Sequence, residues 1–209
     1  NFKNYKSFRD EVSLDLSATK ITEHESHVVD IANDKLLKVA AIYGANASGK
    51  SNVYDAFDYM TYYVSESFNF GGEEDGRRKT ENNYMKVTPF LFDRRSCDEE
   101  STFEVFYVDN AENSGKIYQY GFSLKGDEVV EEWLYSKAKT SRKNYRTIFY
   151  RKKGEELEMN GFSKSHIENI KASLNKETLI VSLGTKLRID KLKKVRDWFL
   201  NNEILDFGD

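Results

Sequence analysis

The stretch that most constrains the fold of this chain is Gly44-Ala45-Asn46-Ala47-Ser48-Gly49-Lys50-Ser51. Its spacing, G-x-x-x-x-G-K-[ST], is that of a phosphate-binding loop. In such a loop the glycines let successive backbone N–H groups point at phosphate oxygens. The lysine reaches the β- and γ-phosphates, and the hydroxyl of the last residue is a ligand for Mg²⁺. We therefore expect residues 44–51, together with Asn52, to hold a nucleotide, with Ser51 on the metal.

The sequence on both sides of the loop agrees with this interpretation. The apolar run from Leu36 to Tyr43 predicts a short buried parallel strand. Downstream, apolar residues recur at spacings of four, three and four, which predicts one face of a helix that runs from Lys50 to about Phe68; these residues are Val53, Phe57, Met60 and Val64. A strand, a glycine-rich turn and a helix are the context that the motif requires.

Composition narrows the class of protein. The chain has 209 residues, of which 39% are hydrophobic and 14% aromatic, so wholesale disorder is excluded. A formal charge of −3 argues against a globally basic nucleic-acid binder. Cys97 is the single cysteine, which suits a reducing compartment, and no apolar run approaches the length of a membrane span. We expect a cytoplasmic protein, and because the chain begins at Asn1 in mid-pattern we expect it to be a fragment.

Two groups before the loop leave alternatives open. Residues 1–16 predict two short strands, and the aromatic residues Phe2, Tyr5 and Phe8 either belong to the core or stack on an adenine ring. The pair His24-x-x-His27, with glutamates beside it, could bind a metal ion. However, no third ligand stands at a recognisable spacing, so the sequence favours the interpretation that this pair binds no metal ion.

The composition of the chain changes after the first helix. Residues 69–84 are almost free of apolar residues and predict a mobile loop. Its triplet Arg77-Arg78-Lys79 either touches a phosphate backbone or is simply solvated, and solvation is favoured.

Strand-like segments follow at 87–92, 102–108, 117–124, 129–135 and 147–151. The short, turn-rich links between them predict an antiparallel meander, in which the first strand either lies at an edge or begins after Pro89.

The last fifty residues predict mainly helices. Ser163 is the expected N-cap of a helix that ends near Leu174. Residues 178–183 predict a short buried strand or an apolar turn. A final amphipathic helix carries Ile189, Leu192, Val195, Trp198 and Phe199 on its apolar face.

These predicted elements indicate a fold of the α/β class with some α+β character. We divide the chain at the sequence level into four parts: 1–68 with the N-terminal strands, phosphate loop and first helix; 69–84 as a loop; 85–160 as an antiparallel β-subdomain; and 161–209 as a helical segment.

Several of these stretches carry a family resemblance. Phe2-Lys3-Asn4-Tyr5-Lys6-Ser7-Phe8 and the loop with its flanks, Tyr43 to Asn52, resemble the N-terminal half of ABC-type ATPases of the RecF, SMC and OLD kind. Within that group the chain is most similar to the bacterial AAA15/AAA21 ATP-binding proteins, many of them associated with phage defence. The stretches 118–122 and 131–135 and the Trp198-Phe199 pair resemble the same family.

The resemblance implies a P-loop NTPase head that closes on ATP and Mg²⁺ as a homodimer and switches an effector such as a nuclease. It implies that Gly44, Asn46, Gly49, Lys50 and Ser51 hold the phosphates and Mg²⁺. It also makes nucleic acid a candidate partner, and implies no membrane. ATP hydrolysis is expected of the full-length protein.

The chain departs from the family pattern where catalysis would be completed. The nearest match to a strand ending in Asp-Glu is 204–209, which has only two apolar residues before its first aspartate and no such pair. The signature-like string 181–186 is interpreted as a decoy, and Gln119 lies within a predicted strand. The catalytic residues are therefore unknown, and we expect the 209-residue chain alone to be inactive.

Two alternative functions share the same loop. One is a small-molecule or nucleotide kinase, which should show alternating βα units after the first helix and not antiparallel strands. The other is a domain that senses nucleotide without catalysis.

Overall fold

The computed structural model describes residues 1–20, 23–31, 34–70, 86–109, 115–139 and 144–202. Eight strands and five α-helices lie in this part of the chain. The strands are β1 (Phe2–Lys3), β2 (Val28–Ile31), β3 (Asp34–Leu37), β4 (Ser101–Asp109), β5 (Lys116–Lys125), β6 (Glu128–Ala138), β7 (Arg146–Lys152) and β8 (Glu158–Met159). The helices are α1 (Lys50–Glu66), α2 (Arg94–Asp98), α3 (Lys164–Ser173), α4 (Ile180–Lys186) and α5 (Asp190–Leu200).

Six of the strands form one antiparallel sheet in the order β1-β4-β5-β6-β7-β8. The four long strands β4 to β7 are consecutive neighbours, so the predicted meander is confirmed for these strands. The other two strands, β2 and β3, form a separate antiparallel hairpin. The predicted α/β fold class is confirmed, and the short links explain the antiparallel pairing because parallel neighbours would need long crossovers.

Helix α1 lies against the sheet through aromatic side chains. Tyr63 is fully buried and stacks on Phe122 of β5, with ring centroids 5.6 Å apart. Tyr59 packs on Phe103 of β4 at 5.3 Å. Aromatic pairs of this kind contribute about 0.5–1.5 kcal/mol each beyond the area they bury. These contacts fix the position of α1, and with it the phosphate loop at its N-terminus.

The N-terminal residues pack into the same core. Phe2 is 7% and Tyr5 3% exposed, and the Tyr5 ring meets the edge of Phe103 at 5.3 Å. For these two residues the core interpretation is therefore confirmed. Of the two predicted strands only β1 forms, because residues 4–8 turn back on themselves through reciprocal hydrogen bonds between Tyr5 and Phe8.

The strand predicted at 87–92 is wrong. Its backbone groups bond to turns and not to a strand. The Lys6 N–H donates to the Thr88 carbonyl and the Phe90 N–H donates to Asn4 Oδ1, both in the N-terminal turn, and the Val87 N–H donates to the Gly126 carbonyl between β5 and β6. Asn4 is fully buried and also donates to the Ser96 carbonyl in α2 at 2.8 Å. The contacts with the N-terminal turn span more than 80 residues in sequence, which is why local propensity did not reveal them.

The helices near the C-terminus differ from prediction at one place. Helix α3 begins at the expected cap, where Ser163 Oγ accepts from the His166 N–H, and α5 buries the expected apolar face. The strand or turn predicted at 178–183 is wrong, because residues from Ile180 onward form α4. The carboxylate of Glu132 on β6 accepts the first N–H groups of that helix, from Ile180 at 2.6 Å and Val181 at 3.2 Å.

The predicted loop 69–84 lies outside the described residues except at its start. Asn69 ends a short 3-10 turn and is exposed, whereas Phe70 is buried against Tyr63 at 5.3 Å, so Phe70 belongs to the core. The helices of the described ranges include none with the length and apolar character needed to cross a bilayer. The four sequence-level boundaries remain predictions.

Candidate nucleotide-binding site

The phosphate loop is a tight turn that leads directly into α1. Gly49 has a φ of +92° and Ala47 a φ of +63°, so the chain curls twice through the left-handed region before the helix begins at Lys50. Within the turn the Ser48 N–H donates to the Ala45 carbonyl at 3.2 Å. Among the described residues no side chain caps the N-terminus of α1, so its first N–H groups remain directed at the mouth of the loop.

Lys50 occupies the centre of this turn. Its ammonium donates to the Gly44 carbonyl at 2.8 Å and to the Ala45 carbonyl at 2.9 Å. The residues 44–48 that surround it are exposed, and Lys50 itself is half-buried. The Lys50 ammonium thus lies at the N-terminus of the 17-residue helix α1. The positive end of the helix dipole lies at the same place, so both groups attract an anion.

The N-terminal turn supports the loop from behind. A Cβ at Gly49 would lie 2.8 Å from the ring of Phe8, and the φ of +92° is strained for any other residue, so both features favour glycine there. Asn52 Nδ2 donates to Ser7 Oγ at 2.6 Å, and Lys6 forms an ion pair with Asp55 of α1. Sequence reasoning placed Phe8 only as a core or adenine-stacking residue and missed its contact with Gly49. The clustering of Lys6, Ser7 and Phe8 in the family-like stretch was the available signal.

The predicted site residues separate into two groups. Gly44, Gly49 and Lys50 are brought together by the turn as expected, and the Ser51 residue is exposed on the first turn of α1. Asn52 is half-buried, and its amide is engaged with Ser7 and not with the mouth of the loop. The expected role of each residue toward phosphate or Mg²⁺ remains a prediction.

The buried parallel strand predicted before the loop is wrong. Strand β3 ends at Leu37, residues 38–49 form no strand, and Val39 is 77% and Tyr43 90% exposed. Strands of parallel sheets are covered on both faces, whereas residues 39–43 are exposed. In the described ranges every strand pair is antiparallel, and none lies beside residues 39–43.

The other sequence candidates are not assembled into a site by the fold. The rings of His24 and His27 stack at 5.5 Å, and the described residues contain no group of three or more potential metal ligands. Ser182 of the signature-like string is fully buried and accepts from the Phe68 N–H, which supports its interpretation as a decoy. Gln119 lies in β5 and donates to Glu104. The candidate at 204–209 lies outside the described residues.

Comparison with known proteins gives one match. Residues 39–174, which include the phosphate loop, α1 and the strands β4 to β7, match the model of a family described as "AAA domain, putative AbiEii toxin, Type IV TA system". No curated protein and no solved structure matches the chain. The match covers more than half of the chain, and the family is one of P-loop NTPases.

Proposed function

Because the chain belongs to this AAA-domain family, we propose that it binds ATP with Mg²⁺ through the loop Gly44–Ser51. The observation that carries the proposal is the turn wrapped around the Lys50 ammonium at the N-terminus of α1. Backbone N–H groups, a lysine and a helix dipole converge there, and each of these groups favours a phosphate anion.

The residues present fit the ligand. The positive φ and the adjacent Phe8 ring favour glycine at position 49. Because glycine has no side chain, the backbone there stays open to phosphate oxygens. We assign the β- and γ-phosphates to Lys50 and to the N–H groups of the loop. The Ser51 hydroxyl is exposed beside them and would be the protein ligand of Mg²⁺. Bound Mg²⁺ neutralises part of the phosphate charge.

The wider role is proposed from the family. Its description names the AbiEii toxin of a type IV toxin–antitoxin system. We propose that the chain is the N-terminal part of an ATP-switched module of the ABC and RecF kind. This module would pair with a second copy on ATP and act on an effector in phage defence or a DNA-related process. The antiparallel strands that follow α1 count against the kinase alternative, which would need alternating βα units.

The experiment that tests the proposal compares ATP–Mg²⁺ binding by the parent chain and by Lys50→Ala in titration calorimetry. Hydrogen bonds to charged groups are worth about 1.5–3 kcal/mol, so the substitution should weaken binding by roughly tenfold to a hundredfold. Lys125→Ala, which removes an exposed lysine at the end of β5, is the matched control. Equal affinity of the Lys50→Ala and parent chains would overturn the assignment.

A further inference from the structure

The N-terminal turn, residues 4–8, has a strained backbone beside the phosphate loop. Asn4 has a φ of +52° and Lys6 a φ of +49°, so both lie in the left-handed region. Asparagine tolerates this region, whereas lysine adopts it rarely. Such conformations cost free energy, persist only where the surrounding structure fixes them, and cluster at functional sites. The strain therefore marks this turn as a candidate part of such a site.

One side of the turn is fixed to the body of the protein. The buried Asn4 side chain accepts from the Phe90 N–H at 3.0 Å and donates to the Ser96 carbonyl at 2.8 Å. The Lys6 N–H donates to the Thr88 carbonyl at 2.9 Å. The position of the turn is thus set by residues outside the phosphate loop.

The other side of the turn contacts the loop at Gly49. A Cβ at Gly49 would lie 2.8 Å from the Phe8 ring and 3.4 Å from Ser7 Oγ, so these two side chains cover one side of Gly49. Asn52 Nδ2 donates to Ser7 Oγ at 2.6 Å, and the Asn52 N–H donates to the Gly49 carbonyl at 3.0 Å. Asn52 therefore links the turn to the residue whose φ of +92° sets the entry into α1.

The Ser7–Asn52 hydrogen bond joins two neutral side chains at an exposed position, so it adds little to the stability of the fold. Its place beside Gly49 gives it a different consequence. A loop binds an anion more tightly when its N–H groups already have the bound arrangement, because binding then carries a smaller cost of ordering. A bond that keeps Gly49 in its left-handed conformation therefore contributes more to affinity than to folding.

We propose that Ser7 is a positioning residue of the phosphate site. Through Asn52 it holds Gly49 and the first N–H groups of α1 in the arrangement that receives the phosphates. Neither Ser7 nor Asn52 contacts the nucleotide in this role. The role rests on the function proposed above, and it adds to the site a residue from outside the loop motif.

Titration calorimetry of ATP–Mg²⁺ with Ser7→Ala and Ser7→Thr tests this role. Ser7→Ala removes the acceptor of the Asn52 amide and should weaken binding by about threefold to tenfold, the range of a neutral hydrogen bond. Ser7→Thr keeps the hydroxyl and should restore most of the affinity. Ser165→Ala, at an exposed serine of α3, is the matched control and should bind as the parent does. Because Ser7 is exposed, each variant should keep the melting temperature of the parent.

Two comparisons separate positioning from direct contact with the nucleotide. Asn52→Ala should weaken binding about as much as Ser7→Ala, and the double variant should bind no more weakly than either, because both substitutions break one bond. Inorganic tripolyphosphate with Mg²⁺, which has no base or ribose, should lose affinity by the same factor as ATP. Additive losses in the double variant, or a loss confined to ATP, would show that these side chains touch the ligand and would overturn the proposal.

The role of Ser7 and the phosphate site itself can fail separately. The parent chain may bind ATP–Mg²⁺ in a Lys50-dependent manner while Ser7→Ala binds it equally well. That result leaves the phosphate site in place and overturns the role of Ser7. A parent chain that binds no ATP–Mg²⁺ overturns both.

Discussion

The buried carboxyl group of Glu132 should make the stability of the protein depend on pH. Glu132 is fully buried, accepts from the N–H groups of Ile180 and Val181, and accepts from the Tyr120 hydroxyl at 3.1 Å. Burial raises the pKa of Glu132 to about 7, although the hydrogen bonds and the Arg151 charge act in the opposite direction. The folded state therefore holds this proton more tightly than the unfolded state.

The sign of the effect follows from that difference. The stabilisation by the protonated carboxyl is complete below the unfolded pKa of 4.5, is lost as the pH rises toward 7, and stays lost above it. A rise in pKa from 4.5 to about 7 corresponds to a loss on the order of 3 kcal/mol. Glu132→Gln removes this titration. The amide also leaves one N–H of α4 facing another donor, which costs about 1–3 kcal/mol at every pH.

Urea unfolding followed by tryptophan fluorescence between pH 4.5 and 8 measures the effect. Other groups titrate in both chains, so the informative quantity is the parent free energy of unfolding minus that of Glu132→Gln. This difference should fall by roughly 3 kcal/mol across the range. Glu128→Gln, on the same strand but at the surface, is the control and should show a much smaller change. A difference for Glu132→Gln that is flat with pH would refute the reasoning.

Two further predictions concern the phosphate loop and a helix cap. Gly49→Ala should weaken ATP binding and lower the melting temperature by several degrees, because a left-handed φ and contact with Phe8 cost about 1–3 kcal/mol; calorimetry with unchanged affinity and melting temperature would contradict this. Ser163→Ala should lower the free energy of unfolding by about 1 kcal/mol through loss of the bond to the His166 N–H. Ser165→Ala, which changes an exposed serine two residues further along the chain, should change the free energy of unfolding much less.

The elements predicted correctly are those whose signal is local. Helix α1 and the strands β4 to β7 carry their own periodicity and turn residues, and Gly49 marks the turn that precedes α1. Ser163 likewise sits three residues before the N–H that it caps.

The elements predicted wrongly depend on distant partners. The run Thr178 to Val181 is β-branched and apolar and suggests a strand, but Glu132, about 48 residues earlier, accepts the N–H groups of a helix there. A signal for Glu132 was present in the sequence, since it stands two residues before Leu134 on β6 and therefore shares the buried face of the strand with Leu134. The contact of Phe8 with Gly49 likewise needs tertiary packing, which spacing alone does not supply.

The most direct test of the central claim is the response of the loop amides to nucleotide in ¹H–¹⁵N spectra. Titration with ATP–Mg²⁺ should shift the amide resonances of Gly44, Gly49, Lys50 and Ser51, while adenosine, which has no phosphate, should leave them in place. The same titration of Lys50→Ala should require much higher ATP concentrations. Unchanged loop amides at saturating ATP–Mg²⁺, or equal shifts with adenosine, would contradict the assignment of this loop as a phosphate site.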